Sequence, residues 1–159
     1  MAARVTGRAV EPVQRETARA AYDADFYTWS MQQAELVREG RWTALDRDNI
    51  AEEIESLGRE QFNKLESAIR VLLVHMLKWD HQADKRLRSW TLSIKEQRVQ
   101  LDHVLKDNPG LKPRIQEAIQ RAYELARVGA AKETGLDEEE FPETCGYSYA
   151  DIVSRTFST

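Results

Sequence analysis

Residues 46–79 read DRDNIAEEIESLGREQFNKLESAIRVLLVHMLKW and form the longest helical pattern of the chain. Apolar residues recur along this stretch at steps of three or four, and once of five, which places them on one face of a helix. They are Ile50, Ile54, Leu57, Phe62, Leu65, Ile69, Leu72 and Met76. Asp46 stands where an N-cap is expected. Glycine costs about 1 kcal/mol relative to alanine inside a helix, so the stretch is either one helix or two helices broken at Gly58.

Three further segments contain either a residue that can cap a helix or the periodic pattern of a helix. Asp23 or Asp25 is placed to cap a first helix, and residues 109–134 have the pattern of a fourth. Ser148 with Asp151 three residues later forms a capping box for a short helix near the C-terminus. Together with the helix described next, we predict an all-α fold: a single-domain antiparallel helical bundle of four principal helices plus a short C-terminal helix.

The third principal helix is predicted at the polar corner HQADKR, residues 81–86, with Asp84 as its cap. Its apolar stripe consists of Leu87, Trp90, Ile94, Leu101 and Leu105. Arg98 stands in this stripe at the position where the helical period requires an apolar residue. We therefore expect Arg98 to lie against the core, with polar partners of its own.

The composition is typical of a helix-rich globular protein. Of 159 residues, 42% are hydrophobic and 31% charged, and only seven are glycine and four proline. We predict a disordered tail over residues 1–20 and one helical domain over residues 21–159. No apolar run approaches the roughly 18 residues that a membrane helix needs. A single cysteine, Cys145, fits a reducing compartment, so we expect a cytoplasmic protein.

Short strings distributed along the chain resemble one family. In chain order they are YDADFYTW, LVREGRW, LDRDNIAEEIESLG, LLVHMLKW, RSWTLSIKEQR, NPGLKP, AYELAR with AAKETGL, and FPETCGYS. Together they resemble the bacterial domain-of-unknown-function family 29, over Tyr22 to about Phe157. The resemblance implies an all-α fold but no established activity, substrate or cofactor. The family commonly has proline where this chain has Gly146, which implies a less rigid loop here.

A set of polar residues bordering two predicted helices is the first candidate site. Glu53 and His75 border the apolar stripe of residues 46–79, and Arg98 lies within the stripe of the next helix. A buried arginine needs carboxylate or carbonyl partners, because burying an unpaired charge costs several kcal/mol. We predict a polar network of Glu53, His75 and Arg98. It is either a register-fixing ion pair without chemistry or the lining of a pocket for an anionic ligand or a metal.

A group of glutamates is the second candidate site. Glu52 and Glu55 share a helix face, and Glu66 lies three turns further on. Paired carboxylates can hold a hard cation such as Mg²⁺, which would suit an all-α metal-dependent hydrolase of a nucleotide-like substrate. Such enzymes supply a second carboxylate pair, but Glu96 and Asp102 of the next helix do not share a face. The alternative is a solvated helix face with acids near the N-terminal dipole.

The charge differs between segments. Residues 45–66 contain seven acids and three bases, whereas residues 78–98 contain six bases and three acids. Oppositely charged helices that pack together would attract one another, which is the first interpretation. A basic patch for RNA or DNA is the second, although the net charge of −4 gives the whole chain no attraction to nucleic acid.

The sequence does not establish an activity, and no catalytic residue is predicted. Cys145 has no base beside it in sequence, and no zinc spacing or glycine-rich phosphate loop occurs, so no cofactor is expected. Trp29, Trp42, Trp79 and Trp90 are interpreted as core anchors, and any that is exposed would mark a partner surface. The leading hypothesis is a non-catalytic helical interaction or regulatory module. Its partner is itself, as a homodimer, or another protein; we expect neither nucleic acid nor a membrane.

Overall fold

The computed structural model describes residues 21–158, so the tail predicted over residues 1–20 lies outside the described part. Five α-helices follow one another: α1 (Phe26–Arg38), α2 (Arg47–His81), α3 (Arg88–Asp107), α4 (Ile115–Thr134) and α5 (Tyr149–Ser154). Residues 21–24 are also helical, and 3₁₀ turns lie at Trp42–Ala44, Ala83–Lys85, Pro109–Arg114 and Glu138–Glu140. Residues 21–158 contain no strand. The prediction of an all-α fold with four principal helices and a short C-terminal one is therefore confirmed.

The described part of the chain divides into two compact units between residues 57 and 58. We call the described parts, residues 21–57 and 58–158, the first and the second unit. Helix α2 passes from one to the other without a break, which settles the choice left open at Gly58. Apart from its chain neighbours and the adjacent backbone of α2, no atom of residues 21–158 lies within 4 Å of the position that a Cβ of Gly58 would occupy, so no close helix crossing among these residues accounts for the glycine.

The first unit is held together around Trp29 and Asp46. Asp25 caps α1 as predicted, its side chain accepting from the backbone N–H of Thr28 at 3.0 Å. Trp29, one turn further on, is 4% exposed, and its indole Nε1 donates to Oδ2 of Asp46 at 3.1 Å. Asp46 immediately precedes α2, and its backbone N–H donates to Oε1 of Gln33 at 2.9 Å. One acidic residue thus connects the start of α2 to α1.

The second unit has a closed hydrophobic core. Its largest fully buried side chains are Leu65, Ile69, Leu72, Leu73, Met76, Leu77, Ile94, Leu101, Ile119, Phe141 and Ile152. Helix α4 contributes the fully buried small residues Ala122, Ala126 and Ala130 to this core. At Gly129 an added Cβ would lie 3.0 Å from Cγ2 of Val74. The absence of a side chain at Gly129 therefore allows α4 to lie close to Val74 of α2.

The start of α3 differs from the prediction. Asp84 lies inside a 3₁₀ turn and does not cap the helix; the residue before α3 is Leu87, whose side chain makes no capping hydrogen bond. Leu87 is also exposed, although it was assigned to the apolar stripe. The physical reason lies in Arg86, whose Nε donates to the carbonyl of Trp79 at 3.0 Å and fixes the corner after α2. The later capping box at Ser148 and Asp151 is present as predicted.

No helix within residues 21–158 combines the length and the apolar character needed to span a membrane.

Candidate functional site

The first unit exposes large apolar side chains. Ile54 and Leu57, predicted as core residues of the α2 stripe, are 63% and 62% exposed. That prediction is wrong for these two positions, because no described element of the first unit covers their side chains. Five further large apolar side chains of this unit are exposed, and for brevity these five together with Ile54 and Leu57 are called the apolar surface. They are Phe26, Tyr27, Met31, Val37 and Trp42.

The first unit is also acidic. Residues 21–57 contain nine acids and three bases, a net charge of −6, whereas residues 58–158 contain sixteen of each. Three of the acids already make contacts that fix the unit, namely Asp25, Asp46 and Glu53. The exposed apolar side chains therefore lie in a field of negative charge.

Glu53 binds a tyrosine of its own unit. Its carboxylate accepts a short hydrogen bond from the hydroxyl of Tyr22, and this bond raises the pKa of Tyr22 to about 12. The ring of Tyr22 packs edge-on against Trp29 at 4.8 Å between centroids. Glu53 therefore anchors residues 21–24 to α2.

Arg98 binds backbone carbonyls at the end of the chain. Its Nε donates to the carbonyl of Ile152 at 2.8 Å, and its Nη2 donates to that of Arg155 at 2.8 Å and that of Asp151 at 3.3 Å. We expected an arginine in this stripe to have carboxylate or carbonyl partners, and Arg98 has carbonyl partners. These carbonyls lie in the last turn of α5 and just beyond it, where helix carbonyls begin to lack partners within the helix; that of Asp151 also accepts from the backbone N–H of Arg155. Arg98 thus holds α5.

His75 lies half-buried on α2, beside a buried lysine. No hydrogen-bond partner for its buried Nδ1 exists among the described residues. Burial and the nearby charge of Lys78 lower the pKa of His75, which keeps the ring neutral near pH 7. Lys78 is itself paired, with Nζ 2.6 Å from a carboxylate oxygen of Glu133 and 4.4 Å from the centre of the Trp90 ring. The polar network of Glu53, His75 and Arg98 remains a prediction, but each residue has the local surroundings described here.

The predicted metal ligands belong to different surroundings. Glu66, in the second unit, pairs with Arg121, with Oε2 2.9 Å from Nε. Glu52 and Glu55 lie exposed on α2 in the first unit. Within residues 21–158, histidine, cysteine and acidic side chains form no group of three or more that could hold a metal ion. Glu66 borders an open, shallow depression that is also lined by Asn63, Ser67, Arg70 and Leu125.

A second polar cluster, which the sequence did not indicate, also holds the C-terminal segment. Asp80 accepts two hydrogen bonds from the guanidinium of Arg155, at 2.6 and 2.8 Å, and one from the hydroxyl of Tyr147 at 2.8 Å. Partial burial opposes ionisation, but these hydrogen bonds lower the pKa of Asp80. The residues are 67 and 75 positions apart in sequence, and no spacing rule connects them.

Cys145 is partly buried in the loop before α5. This burial raises the pKa of its thiol, and its Sγ lies 3.7 Å from the carbonyl of Tyr147.

The sequence pattern of the family DUF29, a domain of unknown function, matches residues 21–158, which is nearly all of the chain. This chain belongs to DUF29. The resemblance that the short strings indicated is thereby confirmed, and the family brings no specific role. No curated protein and no solved structure matches the chain. For this DUF29 chain, the function must be argued from the side chains themselves.

The side chains considered above as functional candidates differ between the two units of this DUF29 chain. The polar residues of the second unit that sequence analysis or structure singled out, above all Arg98 and Asp80, hold the C-terminal segment. The apolar surface of the first unit, in contrast, faces solvent. Trp42 was the sequence signal for it, since an exposed tryptophan was expected to mark a partner surface.

Proposed function

We propose that this chain is a non-catalytic interaction module that self-associates through the apolar surface of its first unit. The observation that carries the proposal is the exposure of Ile54 and Leu57. They continue the same helical stripe that supplies Leu65, Ile69 and Leu72 to the core of the second unit. The exposure of a stripe that forms core further along the same helix supports a contact with a partner.

The area of this surface supports the proposal. Three aromatic and four aliphatic side chains, each about half exposed or more, leave several hundred Å² of apolar area. Each partner of a standard interface contributes roughly 800 Å². Covering a large apolar side chain contributes about 1.5–3 kcal/mol. Scattered single apolar residues need no explanation, but seven within 32 residues of one small unit favour a partner.

The polar candidates support a non-catalytic role. Arg98 is committed to three carbonyls and Glu66 to Arg121, and the thiol of Cys145 has a raised pKa. The contacts of Arg98 and Glu66 occupy charged groups that would otherwise be free to bind a substrate. We also propose a reducing, cytoplasmic location, because the chain has one thiol and therefore no internal disulfide. We propose that the module works without a cofactor.

Sedimentation velocity over a range of protein concentrations tests the proposal. We expect wild type to pass from monomer to dimer or larger species, and the variant Ile54→Glu with Leu57→Glu to remain monomeric. The matched control is Leu125→Glu with Val128→Glu, on α4 in the second unit. Its side chains are 53% and 52% exposed and have the same i, i+3 spacing, so it should associate as wild type does.

Two results would contradict the proposal: a wild type that stays monomeric throughout, or a control pair that is as damaging as the test pair. Circular dichroism of each variant establishes that the helices are intact. Heat released on titration with Mg²⁺ or Mn²⁺ would favour the alternative of a metal-dependent hydrolase. Salt-dependent binding of nucleic acid would favour the alternative of a nucleic-acid-binding module.

A further inference from the structure

The described part of the chain begins beside exposed apolar side chains of the first unit. The ring of Tyr22 packs edge-on against Phe26, with 5.7 Å between ring centroids, and Phe26 is 50% exposed. The hydroxyl of Tyr22 donates to Glu53, and the exposed residue Leu57 stands one turn beyond Glu53 on the same side of α2. The segment that precedes Tyr22 therefore enters the first unit next to members of the apolar surface on both α1 and α2.

The surroundings of this entry point are acidic. The hydrogen bond to Glu53 is the main cause of the raised pKa of Tyr22, and the negative charges of Glu53, Glu52 and Asp23 add to it. The first unit as a whole has a net charge of −6, and two of its three bases already form ion pairs within the unit. A partner that is both basic and apolar is therefore favoured at this part of the molecule.

Residues 1–20, which lie outside the described residues, contain a stretch with this composition. Residues 1–10 read MAARVTGRAV and include Arg4 and Arg8, no acid, and the apolar residues Met1, Val5 and Val10. Residues 11–20 contain two acids and two bases and so add no net charge. The first ten residues thus combine positive charge with apolar side chains.

The covalent attachment favours residues 1–10 over other occupants. Residues 11–21 join them to Tyr22, and eleven extended residues reach up to about 36 Å. Helix α1, with 13 residues, measures only about 20 Å by comparison. A segment on a short linker has an effective concentration on the order of millimolar beside its attachment point. A second copy in dilute solution has no such advantage.

We propose that residues 1–10 bind in cis to the apolar surface of their own first unit and compete there with a second copy of the chain. The inference rests on the self-association proposed above and adds its regulation. Two arginines and three apolar side chains form a contact that is small compared with a standard interface. A second copy therefore displaces residues 1–10 at high protein concentration.

Paramagnetic broadening in NMR spectra of the full-length chain tests the contact directly. A nitroxide is attached at Ala9→Cys, with Cys145→Ser to leave a single thiol, in ¹⁵N-labelled protein kept too dilute to associate. We expect the amide signals of residues 54–57 to be broadened. Those of residues 125–128, which include similarly exposed apolar side chains in the second unit, should stay sharp.

Two further pairs of substitutions in the spin-labelled chain separate binding from mere proximity. Arg4→Gln with Arg8→Gln removes both charges of the stretch and should weaken the contact, and with it the broadening of residues 54–57, by about two- to tenfold. The matched control is Arg88→Gln with Lys95→Gln, at exposed positions of α3. It changes the net charge equally and should leave the broadening unchanged.

The same two pairs, without the spin label, test the competition. In sedimentation velocity, Arg4→Gln with Arg8→Gln should self-associate about two- to tenfold more tightly than the control pair. The reason is that a larger fraction of its molecules then has the apolar surface uncovered. Circular dichroism of each variant establishes that the helices are intact.

Three results would overturn the inference. The first is broadening of residues 54–57 no stronger than that of residues 125–128, and the second is equal broadening or equal association in the two pairs. The third is broadening that arises only when a second, spin-labelled copy without ¹⁵N is added, because residues 1–10 would then bind in trans. If wild type and both pairs stay monomeric at every concentration, the proposed function has failed, and the broadening in the dilute chain decides the contact in cis by itself.

Discussion

The two units of the chain use one helix and one apolar period in different ways. In the second unit the stripe of α2 is covered, and Leu65, Ile69 and Leu72 have no exposed surface. In the first unit the same stripe reaches Ile54 and Leu57, which are mostly exposed, and the one buried apolar residue is Trp29. The difference teaches that an apolar stripe records which side chains share a helix face, while the burial of that face depends on whether another element packs against it.

The largest expected effect comes from comparing one leucine with one isoleucine on this stripe. Leu72→Ala should lower the free energy of unfolding by about 2–5 kcal/mol, because it leaves a cavity in a closed core. Ile54→Ala should change it by no more than about 0.5 kcal/mol, because the side chain is exposed. Urea denaturation at protein concentrations below self-association measures both, since association would add its own stabilisation.

If Leu72→Ala and Ile54→Ala lowered the free energy of unfolding equally at low protein concentration, the contrast between the two units would be contradicted. If the loss of stability caused by Ile54→Ala instead increased with protein concentration, the contrast between the units would be supported.

A smaller effect is expected at Arg98, which stabilises the second unit through polar contacts. Arg98→Met keeps most of the stem but leaves the carbonyls of Ile152 and Arg155 without this donor. The free energy of unfolding should fall by about 1–3 kcal/mol, because these carbonyl acceptors lose a hydrogen-bond donor. Hydrogen exchange should also become faster over residues 149–157. The exposed residue Gln100, on the same helix, provides the control Gln100→Ala, which should change neither quantity measurably.

The smallest effect is expected at His75, and it depends on pH. Burial lowers the pKa of His75 below the ordinary value of 6.5, so the unfolded state takes up a proton first as the pH falls. Stability should therefore decrease as the pH falls through 6.5 toward the lowered pKa, and His75→Gln should reduce that slope. Urea denaturation at several pH values between 5 and 8 measures it. An unchanged slope in His75→Gln would contradict the prediction.

Local signals predicted the helices well. The cap at Asp25, the box at Ser148 with Asp151 and the end of α4 at Gly135 depend on neighbours within a few residues, so sequence spacing contains them. Asp84 failed as a cap because a longer contact decides that corner, the bond from Arg86 to the carbonyl of Trp79.

Burial and polar partners were predicted less well, for two physical reasons. The period of α2 treats Ile54 and Leu65 alike, because it records which side chains share a face and not whether another element covers that face. The partners of Arg98 are backbone carbonyls. Because every residue has a backbone carbonyl, no pattern of residue types predicts which ones Arg98 binds. Asp80 and Arg155 are paired across 75 positions, beyond any helical spacing.

The most direct measurement of the central claim is hydrogen exchange by mass spectrometry at low and at high protein concentration. If the apolar surface of the first unit is a contact surface between copies, residues 50–57 should exchange more slowly at high concentration. Residues 62–76, whose side chains already line a closed core, should exchange at the same rate at both concentrations. Exchange of residues 50–57 that does not depend on concentration, while wild type is shown by sedimentation to associate, would contradict the account.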